Sequence, residues 1–140
     1  MNKLNHIAFI MDGNGRWGKI KKKGRNFGHI KGVETVKSIV SSSIKFRVPI
    51  VTFYVFSSEN WKRPKKEINF LFRLIKNYFL REIQNVLRQG IRINILGEID
   101  ELPLDLKTTL KKTIKLTKYN KKIIVNLAVN YGSRREIFKV

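Results

Sequence analysis

Apolar and polar positions fall into blocks along the chain, and the period within each block predicts its element. His6–Met11 (HIAFIM) is a short apolar run stopped by Asp12-Gly13-Asn14-Gly15, which predicts a strand and then a loop. From Gly28 to Phe46, apolar residues recur at Ile30, Val33, Val36, Ile39, Val40 and Ile44, the spacing of a helix. Pro49 breaks that pattern. Ile50–Phe56 (IVTFYVF) is β-branched and aromatic throughout, as in a strand buried on both faces. Ser57–Lys66 is a polar loop containing Pro64. Glu67–Arg88 reads as a long helix ended by Gly90. Ile91–Leu96 (IRINIL) predicts the third strand. Glu101–Lys118 predicts an amphipathic helix with Pro103 near its start. Ile123–Val129 (IIVNLAV) predicts the fourth strand. Tyr131-Gly132-Ser133 then leads into a helix start at Arg134–Val140.

Strands alternating with helices predict an α/β fold, an open parallel sheet with crossover helices on both faces. In such a sheet, ligands bind outside the C-terminal ends of the strands. The polar, glycine-rich segments sit at those ends: Asp12–Trp17 after the first strand, Ser57–Arg63 after the second, Asn130-Tyr131-Gly132 after the fourth. They are expected to share one rim. Gly97-Glu98, after the third strand, carries little chemistry of its own.

Composition narrows the classes. The 140 residues fit one domain. A hydrophobic content of 42% excludes a disordered basic tail. With no cysteine there is no disulfide framework, thiolate metal site or thiol nucleophile. No apolar run reaches the ~18 residues of a membrane-spanning helix. The N-terminus lacks the pattern of a signal peptide, so the expected location is the cytoplasm. Thirty Lys and Arg against ten Asp and Glu give a net charge of +20, which suggests an anionic partner. Lys, Ile and Asn share A/T-rich codons, however, so compositional drift is an equally good source of the lysines. The densest basic cluster, Lys19–Lys23, is expected in a loop. A basic nucleic-acid-binding module is therefore the alternative, with Trp17, Phe27 and Trp61 as stacking residues. No recognised RNA-binding motif supports it.

The loops carry the chemistry. In Asp12-Gly13-Asn14-Gly15-Arg16-Trp17, glycines would let the backbone approach an anion, and a following helix N-terminus adds donors. Arg16 could grip phosphate in a bidentate manner. Asp12 would repel phosphate unless a bridging Mg²⁺ takes carboxylate and diphosphate oxygens together. An ordinary tight turn is the competing reading, since Asp-Gly and Asn-Gly are common turn dipeptides. Arg25 and His29 are four residues apart and could face one ligand; a solvated Arg and a surface His remain the alternative. Ser57-Ser58-Glu59-Asn60-Trp61-Lys62-Arg63-Pro64 is a second dense polar loop, in which Ser58 or Asn60 could instead be a helix cap and Trp61 a packing lid. The stripe on Glu67–Arg88 (Ile68, Leu71, Phe72, Ile75, Phe79, Ile83, Val86) is widened by Phe70, Leu74, Tyr78, Leu80 and Leu87. That exceeds the ~100° expected for packing on one sheet. Such a helix is either well buried or has a second face on an apolar cavity or a partner subunit.

His6–Trp17, Gly24–His29, Phe56–Pro64 and Asn130–Gly132, in this order and spacing, resemble the signature of cis-prenyltransferases of the bacterial undecaprenyl diphosphate synthase type. The likeness runs over nearly the whole chain. It implies condensation of isopentenyl diphosphate with farnesyl diphosphate to a cis-polyprenyl diphosphate, the precursor of the lipid carrier for cell-wall glycan. It also implies Mg²⁺, a homodimer, a membrane-lipid product, contact with a membrane surface and no nucleic acid. Asp12 corresponds to the catalytic aspartate and Mg²⁺ ligand. Gly13, Asn14, Gly15 and Arg16 correspond to the cradle of the allylic diphosphate, with Arg25, His29 and Arg63. Trp17, Ser57, Ser58, Glu59 and Trp61 fall at substrate-contacting positions. Asn60 matches the residue assigned to proton removal, and as an amide is expected to orient water or substrate. The family's C-terminal Arg-x-Gly…Arg-x-Ser segment for isopentenyl diphosphate, and its second metal-binding glutamate, have no counterpart here. Residues 1–140 are therefore expected to be one incomplete domain, completed elsewhere or inactive alone. A non-catalytic partner subunit is a further alternative, opposed by the intact Asp12 and Ser57–Pro64.

Overall fold

The strands form where β-branched and aromatic residues run without interruption. In the computed structural model, which describes residues 4–138, they are β1 (His6–Ile10), β2 (Ile50–Ser57), β3 (Ile91–Leu96) and β4 (Ile123–Tyr131). All pairings are parallel, in the order β1-β2-β4-β3. The central strands β2 and β4 bury Val51, Phe53, Val125 and Val129 almost completely. Each such side chain contributes ~1.5–3 kcal/mol on removal from water. The open parallel sheet expected from the sequence is the one observed.

The helices are α1 (Asn14–Ile20), α2 (Arg25–Lys45), α3 (Lys65–Arg88), α4 (Leu104–Leu116) and α5 (Ser133–Phe138). Short 3₁₀ turns cover Ser58–Lys62 and Ile99–Glu101. Helix α1 was not expected. Three glycines within Gly13–Gly18 read as a loop, yet Gly15 and Gly18 serve helix packing. A Cβ on Gly18 would lie 2.1 Å from the Gly24 carbonyl oxygen, and one on Gly28 1.8 Å from that of Asn14. Small residues let α1 and α2 cross in contact. Lys19 thus belongs to a helix, and only Lys21–Lys23 form the turn. The start of α5 matches expectation, while Lys139 and Val140 lie outside the described residues.

Helices α2 and α3 pack side by side over the face that carries Val51, Phe53, Val125 and Leu127. Helix α4 packs beside α3 and reaches the outer edge of β3. There the Thr117 hydroxyl accepts from the Ile93 N–H at 3.0 Å, and the Asn120 amide donates to the Ile91 carbonyl at 2.8 Å. The other face is less covered than helices on both faces would imply. His6, Ala8 and Tyr54 are exposed there, and Ile10 is 79% exposed. A row of hydrogen bonds, His6–Thr52–Asn126–Asn94, crosses all four strands on that side.

Register breaks near the end of β2, around Phe56. Such an irregularity re-aims side chains. Phe56 is buried against Trp61 and Phe72, with ring centroids 5.3 and 4.9 Å away. The segment after β2 is thereby fastened to α3 at the rim.

Candidate active site

The three expected segments do meet at the C-terminal rim. A cleft of about 560 Å³ there is lined by Asp12, Gly13, Asn14, Gly15, Arg16, Arg25, His29, Ser57, Glu59, Asn60, Arg63 and Tyr131. Gly13 starts α1 at φ 85°, a left-handed conformation that glycine adopts without strain. Its N–H donates to Asp12 Oδ1 at 2.7 Å, and Asp12 Oδ2 lies 3.7 Å from Arg16 Nη2. Both of these side chains are exposed. The first N–H groups of α1 have no intrahelical acceptor and add donors to the same spot.

Across the cleft, the Arg25 guanidinium lies against Gly15, where a Cβ would come within 2.6 Å of Cζ. Its other side meets Glu67. Glu67 Oε1 accepts from Arg25 Nε at 3.0 Å and from His29 Nε2 at 2.9 Å, and Arg25 Nη2 lies 3.0 Å away as an ion pair. Arg63 Nη1 is 3.9 Å from the same oxygen. Burial raises the Glu67 carboxyl, but the hydrogen bonds and charges of Arg25 and His29 outweigh it, so it titrates below the usual carboxylate value.

Arg16, Arg25 and Arg63 thus line one cleft together with the exposed Asp12 carboxylate. Residues 10–140 match the family model described as putative undecaprenyl diphosphate synthase. The chain belongs to this prenyltransferase family. Among similar curated proteins, the isoprenyl transferase of Clostridium tetani is 45% identical over 134 residues, covering 96% of this chain and 52% of that protein. The isoprenyl transferase of Helicobacter pylori strain 26695 is 41% identical over 136 residues, covering 97% and 58%. The chain thus spans about half the length of the curated relatives it matches. Among solved structures, lavandulyl diphosphate synthase from Lavandula x intermedia, in complex with dimethylallyl diphosphate, superposes with a TM-score of 0.91 at 29% identity. That match covers 96% of this chain and 58% of the other. A probable undecaprenyl diphosphate synthase from Campylobacter jejuni gives 0.80 at 29% identity, over 99% and 60%.

Three expected site residues stand apart from the cleft. Trp17 stacks on Phe27 and lines a neighbouring groove between β1 and α2. The Ser58 hydroxyl sits behind Gly132, where a Cβ would come within 2.5 Å of it. The Trp61 indole packs on Phe56 and Phe72 and donates to Asn130 Oδ1 at 2.8 Å. Asn60 does line the cleft, but its Oδ1 accepts the Ser57 N–H at 3.0 Å. Its amide NH₂ is left as the donating end.

Sequence reasoning missed two residues. Glu67 gathers the cations, and its signal was weak: an acid in the first turn of a helix is common for dipole reasons alone. Asn130 is fully buried at φ 55° and locks the rim. It accepts from Trp61 and donates to the Glu98 carbonyl at 3.0 Å and to Glu101 Oε1 at 2.8 Å. Gly97-Glu98, which carried little chemistry in the sequence, is thus part of that lock.

Below the cleft lies an apolar cavity of about 80 Å³ between α2, α3 and the sheet. Val33, Val36, Val55 and Ile75 line both spaces. Of the residues that widen the α3 stripe, Tyr78 walls this cavity and Leu74 the cleft, while Leu80 is exposed. Burial, with a smaller contribution from the Glu82 charge, pushes the Tyr78 phenol up to about 12 against the pull of Arg81.

Proposed function

We propose that this prenyltransferase domain binds an allylic diphosphate, farnesyl diphosphate, and takes part in its condensation with isopentenyl diphosphate to a cis-polyprenyl diphosphate. The observation that carries the reading is one cleft with cations at its mouth and an apolar cavity sharing its inner wall. The headgroup would lie on the Gly13–Arg16 amides, Arg16, Arg25, His29 and Arg63. The prenyl chain would pass between α2 and α3, where each buried CH₂ contributes ~0.8 kcal/mol. The 80 Å³ cavity is short for a long product, so α2 and α3 would part as the chain grows.

The donor set suits Mg²⁺ shared with the substrate. Among the described residues no three Asp, Glu or His side chains gather as a metal cluster. Asp12 offers an exposed carboxylate at the start of α1, and Mg²⁺ is commonly held by one or two carboxylates with substrate phosphates and water. When bound, the ion would neutralise charge on the departing diphosphate. The chain's own part is to hold that diphosphate with Arg16, Arg25 and Arg63, aimed where negative charge develops. Asn60 would donate its amide hydrogens to orient the group that takes the proton lost from the condensing unit. Ser57 and Glu59 would shape the wall of the cleft, and Trp17, Ser58 and Trp61 would support it from behind.

By this reading the whole protein supplies lipid carrier for cell-wall glycan, works as a homodimer in the cytoplasm and delivers its product at a membrane surface. No helix among the described residues is long and apolar enough to cross a membrane. Calorimetry with farnesyl diphosphate, with and without Mg²⁺, tests the reading. Mg²⁺-dependent binding that is lost in Asp12→Ala is expected. No heat of binding under either condition would end it.

A further inference from the structure

We propose that Glu67 is the positioning residue of the diphosphate site, pre-assembling Arg25, His29 and Arg63 as one cationic wall before any ligand arrives. The proposal rests on the reading of the cleft as a diphosphate site, but concerns a residue outside that reading's contact set.

One oxygen does the gathering. Glu67 Oε1 is within 3.0 Å of Arg25 Nε, Arg25 Nη2 and His29 Nε2, and 3.9 Å from Arg63 Nη1. The three groups come from different places: Arg25 opens α2, His29 lies one turn on, and Arg63 precedes α3. Glu67 stands in the first turn of α3, so it ties the two sides of the cleft together. Its side chain is 10% exposed and that of His29 7%, whereas those of Arg25 and Arg63 are 35% and 30% exposed. The carboxylate is therefore behind the wall and the guanidinium groups are in front.

Arg25 is fixed from two directions. Gly15 flanks one side of its guanidinium and Glu67 takes the Nε–H, with Nη2 in ion-pair contact at 3.0 Å. The four Nη hydrogens remain for a ligand, at an orientation already set. Holding a long cationic side chain in one geometry normally costs rotamer entropy at the moment of binding, and prior ordering removes that cost.

A counter-charge and a positioning residue predict opposite signs. Glu67 is negative and close to where a diphosphate would sit, so as a mere counter-charge it opposes binding. Removing it would then tighten binding. As a positioning residue it favours binding, and removal weakens it.

The test is calorimetry of inorganic pyrophosphate and of farnesyl diphosphate, each with Mg²⁺, on the wild type, Glu67→Gln and Glu67→Ala. The amide keeps one acceptor oxygen without the charge, and Ala removes both. Affinity is expected to fall in the order wild type, Gln, Ala, by about tenfold or more from wild type to Ala, the scale of a lost charged hydrogen bond. The ¹⁵N signal of Arg25 Nε–H, protected from exchange in the free wild type, should lose protection in Glu67→Ala. If that variant fails to fold, the Gln variant still reads the sign. Equal or tighter pyrophosphate binding by Glu67→Gln overturns the proposal, as does a wild type that binds no pyrophosphate. Pyrophosphate binding in the expected order with no added affinity for the farnesyl group leaves Glu67 in its role and removes the prenyl reading instead.

Discussion

The Arg25 guanidinium occupies the space that a side chain on Gly15 would need, with Cζ 2.6 Å from the position of its absent Cβ. This contact joins α1 to α2 and sets the depth of the cleft. Gly15→Ala is expected to push Arg25 off Glu67 at little cost in stability, because what must move is the end of a flexible side chain. Diphosphate affinity should fall with it. Thermal unfolding and calorimetry check both, and unchanged affinity in a folded Gly15→Ala would show that Arg25 is free to move.

Glu67 also predicts an acid limit. Its folded carboxyl titrates below the ordinary 4.5 because the hydrogen bonds of Arg25 and His29 overcome burial. A depressed folded value means stability that is present above the unfolded value and lost as pH falls through the folded one. The midpoint of thermal unfolding should therefore drop more steeply below about pH 4.5 in the wild type than in Glu67→Gln. Parallel curves would count against the interaction.

Tyr78 predicts an alkaline limit of opposite form. Burial is the main cause that lifts its phenol from 10.0 to about 12. The neutral form is favoured in the fold, so its contribution is intact below the unfolded value and lost as pH rises through the folded one. Absorbance titration should show one phenol, absent in Tyr78→Phe, ionising well after the others.

The cavity wall gives a test that separates headgroup from tail. Val36 lines both the cleft and the apolar cavity. Val36→Phe should fill the passage between them. Farnesyl diphosphate affinity is expected to fall about tenfold or more, by the area no longer buried, while pyrophosphate affinity holds. Equal losses for both ligands would place the prenyl chain elsewhere.

Much of this architecture was legible. Ile50–Phe56 and Ile91–Leu96 are runs that only a buried strand explains, and they end at the rim as expected. The loops Asp12–Arg16 and Ser57–Arg63 announced themselves by dense polar chemistry after apolar strands. What stayed hidden depends on distant partners. Helix α1 looked like a loop because its glycines make room for Gly24, Gly28 and Arg25, not for a turn. Trp61 read as a substrate contact or a lid, and its indole is held by Asn130, 69 residues away. Glu67 looked like a first-turn acid, and only the folded chain brings Arg25 and His29 to it.

The most direct measurement is a crystal structure with Mg²⁺ and a non-reactive farnesyl thiodiphosphate. The account predicts the diphosphate within hydrogen-bond distance of the Gly13–Arg16 amides and Arg25, Mg²⁺ on Asp12, and the farnesyl chain between α2 and α3 against Val36 and Ile75. A diphosphate bound away from Asp12 and Arg25, or a farnesyl chain lying outside the α2–α3 cavity, would contradict it.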